Sequence, residues 1–171
     1  MRAPNTERKV YMIKLLRIDE RLIHGQVACT WCNHLGVNRI VVANDAAAAD
    51  EVQQVALKMA APEGIKVAIK GVEGAIKLLG DPRMDAFQVF VLVNCPADAA
   101  RIAEAVTGIE GVCLGNFGLF SDGVERKTLE NTVNASESEI ADFKHLAELR
   151  TDAVYQPTPA NPAKPLASIL S

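Results

Sequence analysis

YMIKLLRIDERLIHGQVACTWCNHL, Tyr11 to Leu35, is the stretch whose reading decides the fold. Its first part, through Ile18, is a short apolar run containing β-branched residues and predicts a strand. After a charged turn, Val27, Trp31 and Leu35 recur four apart, which is the spacing of one helix face. Gly36 then stops the helix. A strand passing through a brief turn into an amphipathic helix is the opening of an α/β unit.

The rest of the chain repeats that unit. RIVVAN (Arg39 to Asn44) and IKVAIK (Ile65 to Lys70) predict strands two and three. Between them a helix is expected over Ala49 to Ala60, with Val52, Val55, Ala56 and Met59 on one face, ended by the Pro62, Glu63, Gly64 turn. A short helix from Val72 to Leu79 leads to FQVFVLV (Phe87 to Val93), a continuous apolar run expected of a central strand buried on both faces. Pro96 suits the first turn of a helix to about Val106, and Gly111 to Gly115 reads as a fifth strand.

Beyond Gly115 the pattern changes. GNFGLFSDG (Gly115 to Gly123) is rich in turn residues, and Thr128 to Val133 predicts a weaker strand, an excursion without a full crossover helix. Ser136 followed by Glu139 has capping-box spacing and starts a helix to about Leu149. AVYQPT (Ala153 to Thr158) predicts a last strand at an edge, and the tail from Asn161 to Ser171 a short helical turn. The expected fold is a single α/β domain over residues 11–171, doubly wound, with a mainly parallel six- or seven-stranded sheet and helices on both faces. Residues 1–10 read as a disordered extension.

Composition narrows the function classes. The formal charge is −3, aromatics are 5%, and Lys and Arg are scattered, so nucleic acid is not an expected partner. No apolar run approaches the roughly 20 residues of a membrane span, and MRAPNTERKV lacks a signal-peptide core. The reading is a cytoplasmic, soluble chain. CTWC places Cys29 and Cys32 three apart within the first helix, without a second such pair, so packing is favoured over metal or redox work. No metal and no cofactor is implied. His34 and His145 read as solvent-facing.

Ligands of doubly wound sheets sit at the carboxyl ends of strands. That edge carries Asp19 to Gly25, with His24 just before the first helix. A helix N-terminus offers unpaired N–H groups and partial positive charge, which suit a phosphoryl group. Arg17 and Arg21 add planar cations that match phosphate oxygens, and Asp19 is placed to orient an arginine or fix the imidazole tautomer. A neutral imidazole is a competent nucleophile near pH 7, so His24 is the candidate for a covalent intermediate. No glycine-rich nucleotide loop follows the first strand.

RIDERLIHGQV resembles the signature of the IIB component of the mannose, fructose and sorbose family of the bacterial phosphoenolpyruvate-dependent sugar phosphotransferase system. Trp31, RIVVAND (Arg39 to Asp45), AADEV (Ala48 to Val52), AAPEGIKV (Ala60 to Val67) and VCLGN (Val112 to Asn116) continue the likeness in order. The resemblance implies a phosphoryl carrier that takes the group from a phosphohistidine of the IIA component onto His24, at Nδ1. It would then pass the group to a sugar entering through the membrane IIC and IID components, with the carrier held at the inner face of the membrane. It also implies phosphate-binding roles for Arg17, Arg21, Gly25 and Gln26, an orienting role for Asp19, and a site rim at Gly115 and Asn116. A homodimer is admitted. Phe117 and LFSDGVERK (Leu119 to Lys127) depart from the family pattern, which leaves the sugar open. The alternative is a phosphorylation-responsive regulatory module of the same fold, and a third reading is a C-x-x-C redox protein.

Overall fold

The computed structural model describes residues 12–120 and 122–171. Its first half runs β1 (Ile13–Ile18), α1 (Gly25–Leu35), β2 (Arg39–Ala43), α2 (Asp45–Ala48), α3 (Glu51–Ala60), β3 (Lys66–Lys70) and α4 (Val72–Leu79). A 3₁₀ turn (Pro82–Ala86) leads to β4 (Val89–Val93), α5 (Pro96–Ala105) and β5 (Val112–Leu114). Then come β6 (Lys127–Glu130), β7 (Val133–Ala135), α6 (Glu137–Leu149), β8 (Val154–Tyr155), β9 (Lys164–Pro165) and α7 (Leu166–Ile169). The expected disorder of residues 1–10 and the expected start of β1 at Tyr11 fall outside the described residues.

A seven-stranded sheet in the order β3-β2-β4-β1-β5-β8-β9 is parallel except at the β8–β9 pair. The uninterrupted apolar run of β4 is buried at every position, because helices cover both faces. Alternation along β1 splits its side chains between two cores. Leu15 joins Trp31, Cys32, Leu57 and Phe90 on the α1 and α3 face, whereas Leu16 and Ile18 join Ala75, Ile102 and Phe143 on the α4, α5 and α6 face. Neighbouring β1 and β4 are followed by helices on opposite faces leading in opposite directions, so a switch point lies at their carboxyl ends. Register brings Ile18 beside Val93 and Leu114, and Leu114 beside Tyr155. The loops after β1, β5 and β8 therefore meet at one edge.

Local signals explain most boundaries. Gly36 ends α1 in the left-handed conformation at φ 66°, and its N–H donates to the Cys32 carbonyl. Ser136 and Glu139 form the expected capping box of α6. Three expectations are corrected. The helix expected over Ala49 to Ala60 begins at Glu51, because the Asp50 carboxylate accepts from the Val52 and Gln53 N–H groups and caps a new helix there. Its apolar face points outward: Val52, Val55 and Met59 are 80%, 58% and 81% exposed, and Leu57 makes the buried contact instead. The strand expected over Thr128 to Val133 is the β6–β7 hairpin, turning at Asn131 and Thr132. The Ala153 to Thr158 strand is not the edge, since β9 pairs outside it.

Candidate functional site

The turn after β1 is held from several sides. The Asp19 N–H donates to the Val93 carbonyl at 2.9 Å, the Glu20 N–H to the Asn116 carbonyl at 2.9 Å, and the Leu22 N–H to the Asp19 carbonyl at 2.9 Å. Leu22 adopts φ 59°, a left-handed conformation that costs a non-glycine residue about 1–3 kcal/mol. Burial of Leu22 and Ile23, each 3% exposed, contributes about 1.5–3 kcal/mol per side chain and outweighs that strain. The backbone then presents His24 as the N-cap of α1 in extended conformation, φ −149° and ψ 133°, with its side chain making no cap hydrogen bond.

The imidazole is therefore available for another partner, and it finds one. His24 Nε2 lies 3.0 Å from Asp19 Oδ2, and the Asp19 side chain is only 1% exposed. A carboxylate accepts, so Nε2 carries the hydrogen and the lone pair is left on Nδ1. The same Oδ2 accepts from Asn116 Nδ2 at 3.0 Å and lies 3.5 Å from Arg17 Nη2, while Oδ1 accepts from the Arg21 N–H at 3.1 Å. The buried carboxylate thus has donors on every side, which fixes the ring and its tautomer.

Arg17 and Arg21 were both expected at a phosphate, and the structure separates them. Alternation along β1 turns Arg17 inward, fully buried, on the face of α1. Its Nη1 donates to the Gln156 carbonyl at 2.8 Å and to Cys113 Sγ at 3.2 Å, its Nη2 donates to the Pro157 carbonyl at 2.8 Å, and its guanidinium lies 5.0 Å from the Trp31 ring centroid. Arg17 holds Asp19 from beneath and does not reach the surface beside His24. Arg21 is exposed, as are Gly25 and Gln26. The first-turn N–H groups of α1 have no partner within the helix, whose first such bond runs from Ala28 to His24. Arg21, Gly25 and Gln26 are thus exposed in the turn and first helical residues that flank half-buried His24.

The two glycines of the site sit in different surroundings. A Cβ at Gly25 would meet no atom of the chain, and its φ of 44° is a left-handed conformation that glycine adopts without strain. Gly115 is not at a rim. It is buried, and a Cβ there would collide with the Arg17 guanidinium. Asn116, expected at the rim, bonds directly to Asp19.

The departing loop is tied to this turn as well. The Glu20 carboxylate accepts from the Leu119 N–H at 3.0 and 3.1 Å, and Leu119, Phe120 and Val124 expose apolar side chains beyond it. Arg126 pairs with Asp122 at 2.7 Å and with Glu139 at 2.8 Å, and these bonds hold both carboxyls below their ordinary range.

A family model described as the PTS system sorbose subfamily IIB component, PTS denoting the phosphotransferase system, matches residues 13–171. The chain belongs to that family. It is similar to a Streptococcus pyogenes protein named "Probable phosphotransferase enzyme IIB component", 41% identical over 153 residues that cover 88% of this chain and 94% of that one. It is 36% identical to the mannose-specific EIIAB component of Escherichia coli over 79% of this chain and 41% of that longer protein. The IIB domain of the sorbose permease from Klebsiella pneumoniae superposes with a TM-score of 0.85 at 29% identity, covering 93% of this chain and 96% of that domain. The resemblance carried by RIDERLIHGQV and the later motifs is borne out, as is the doubly wound α/β fold.

In this IIB chain His34, His145, Cys29 and Cys32 take no part in the hydrogen bonds of the His24 turn. His34 packs edge-on to Trp31 at 5.9 Å, and exposed His145 pairs with Glu104 at 3.0 Å. Cys29 and Cys32 are free thiols on α1; burial, with Cys29 nearby, pushes the Cys32 thiol up to about 11, so it stays protonated at neutral pH. Sequence reasoning missed the anchors of Arg17, namely Cys113, Gln156 and Pro157. Reading AVYQPT as an inner strand would have found Gln156 and Pro157, because its carboxyl end then lies on the site edge, and Cys113 follows from β5 pairing with β1.

Proposed function

We propose that His24 is the phosphoryl acceptor of this IIB component. The observation that carries the reading is the 3.0 Å bond from His24 Nε2 to buried Asp19, which leaves Nδ1 as the free nitrogen. The Nδ1 lone pair forms an N–P bond with the phosphoryl group of a IIA phosphohistidine as the donor N–P bond breaks, its electron pair returning to the donor imidazole. The ring of His24 gains positive charge in this step, and the Asp19 carboxylate beside Nε2–H stabilises it. The phosphoryl oxygens meet the first-turn N–H groups of α1 and the exposed guanidinium of Arg21. In the second step a sugar hydroxyl attacks phosphorus, the N–P bond breaks with its electrons returning to Nδ1, and the hydroxyl proton is released.

This makes the protein a protein-Nπ-phosphohistidine:sugar phosphotransferase that receives from IIA and donates to a sugar entering through IIC and IID. The cytoplasmic face of the membrane is where such a chain works; no helix among the described residues is long and apolar enough to cross a membrane. Asp19, Asn116 and Arg17 position the ring, and Gly25 shapes the first turn. The IIB domain is taken as residues 11–171. Exposed Leu119, Phe120 and Val124 beside the site suit docking of a transient protein partner.

The test is transfer of labelled phosphate from phosphorylated IIA to wild type and to His24→Gln. Acid-labile label on wild type and none on the folded variant is expected; wild-type labelling of the variant would refute the assignment. Sugar phosphate should then form with membranes carrying IIC and IID, and label without sugar phosphate would favour the regulatory alternative.

A further inference from the structure

The outward apolar face of α3 takes no part in the hydrogen bonds that brace the His24 turn. Val52, Val55 and Met59 stand on one side of the helix at 80%, 58% and 81% exposure, with Ala56 exposed beside them. Three large apolar side chains on ten residues form a stripe, whereas scattered surface apolar residues are ordinary. Glu51 and Lys58 are exposed along one flank of that stripe, and neither forms an ion pair among the described residues.

The spacing decides what fits. Glu51 and Lys58 are seven residues apart, and so are Val52 and Met59. A twofold axis crossing the helix near Val55 turns a second α3 antiparallel to the first and keeps each flank beside its own copy. That operation sets Glu51 against Lys58 of the partner subunit and Val52 against the partner's Met59, each twice, with Val55 near the axis. A parallel pairing about a twofold along the helices puts the charged flanks of the two copies on opposite sides of the contact, where Glu51 and Lys58 find no partner. Addition of strands at the free β3 edge is disfavoured, because an antiparallel β3 pair opposes exposed Lys66 to a second Lys70.

We propose that α3 is a self-association surface, and that this IIB chain pairs with a second copy through an antiparallel, isologous α3 contact. A ten-residue helix is about 15 Å long, so the contact falls below the roughly 1,200 Å² of standard interfaces and the dimer is weak and reversible.

The test is sedimentation velocity of the full chain from about 10 μM to about 1 mM, the range in which an interface this small associates. Wild type should shift from monomer toward dimer as concentration rises. Val55→Asp and Met59→Asp should remain monomeric with unchanged circular dichroism. Glu51→Lys and Lys58→Glu should each weaken association by about two- to fivefold, and the double charge swap should restore it. A monomer throughout the range overturns the proposal, as does self-association unaffected by Val55→Asp. A monomer whose labelling by IIA falls on Val55→Asp also overturns it, assigning the face to a different partner.

Discussion

Replacing Asp19 by Asn tests the positioning argument with almost no change of shape. The carboxylate accepts from His24 Nε2, Asn116 Nδ2 and the Arg21 N–H, with Arg17 Nη2 at 3.5 Å. An amide has one acceptor oxygen and one NH₂. With its oxygen toward His24, the NH₂ faces the Arg21 N–H and one donor is left unpaired. With its NH₂ toward His24, the ring is driven to the tautomer bearing its hydrogen on Nδ1, and the nucleophilic lone pair points away from the phosphoryl donor. Either way the buried Arg17 loses its counter-charge. Breaking a buried pair costs about 3–5 kcal/mol. Arg17 keeps its bonds to the Gln156 and Pro157 carbonyls and its place over the Trp31 ring, so a loss at or just under the bottom of that range, about 2–3 kcal/mol, is expected. That lowers the melting temperature by about 5–10 °C, well within the stability of a domain this size. The phosphoryl-transfer rate should fall about 10²- to 10⁴-fold, the scale of a lost orienting carboxylate. Rapid-quench transfer from labelled IIA, at a temperature where circular dichroism shows a folded variant, measures it. A rate within threefold of wild type would show that Asp19 does not set the reactive nitrogen.

Three further outcomes are expected. Gly115→Ala forces a methyl against the Arg17 guanidinium, and should destabilise the fold by about 1–3 kcal/mol in urea titrations while slowing transfer; an unchanged midpoint would contradict the collision. Arg21→Ala removes an exposed cation whose backbone N–H, not its side chain, contacts Asp19, so transfer should slow about tenfold or more with the melting temperature unmoved; equal rates would remove Arg21 from phosphate stabilisation. Arg126 holds Glu139 below its ordinary 4.5 in the folded state, so this stabilisation is complete above that value and is lost as pH falls below it through the folded value. Melting temperature should therefore drop more steeply on acidification in wild type than in Arg126→Met, and parallel profiles would show that the pair adds nothing.

The inner fold was legible because hydrophobic runs and turn residues agree wherever strands are buried on both faces. FQVFVLV could hardly be anything but an inner strand, and Gly36 and the Ser136–Glu139 box mark helix ends with their own chemistry. Periodicity alone cannot say which way a helix face points. The α3 stripe has the pattern of a core face, yet at the sheet's β2–β3 edge Leu57 is the buried side chain. His24 was legible as a residue between a strand and a helix N-terminus. The division of labour between Arg17 and Arg21 was hidden, because it depends on strand alternation meeting the carboxyl end of β8, a neighbour supplied by sheet order.

That sheet order also explains how a small exposed site can be held firmly. Asp19 belongs to the turn after β1, Asn116 follows β5, and the carbonyls gripping Arg17 follow β8. Three adjacent parallel strands end at one level, so each loop can brace the next without a long insertion. The left-handed Leu22 costs about 1–3 kcal/mol, but burying Leu22 and Ile23 supplies about 3–6 kcal/mol together, so the turn is stable before any partner arrives. The imidazole, 12% exposed, is thus presented on a braced turn beside exposed Arg21, Gly25 and Gln26. For the phosphoryl transfer proposed above, the arrangement orients the ring in advance, so no encounter with a partner would have to bear the cost of ordering it.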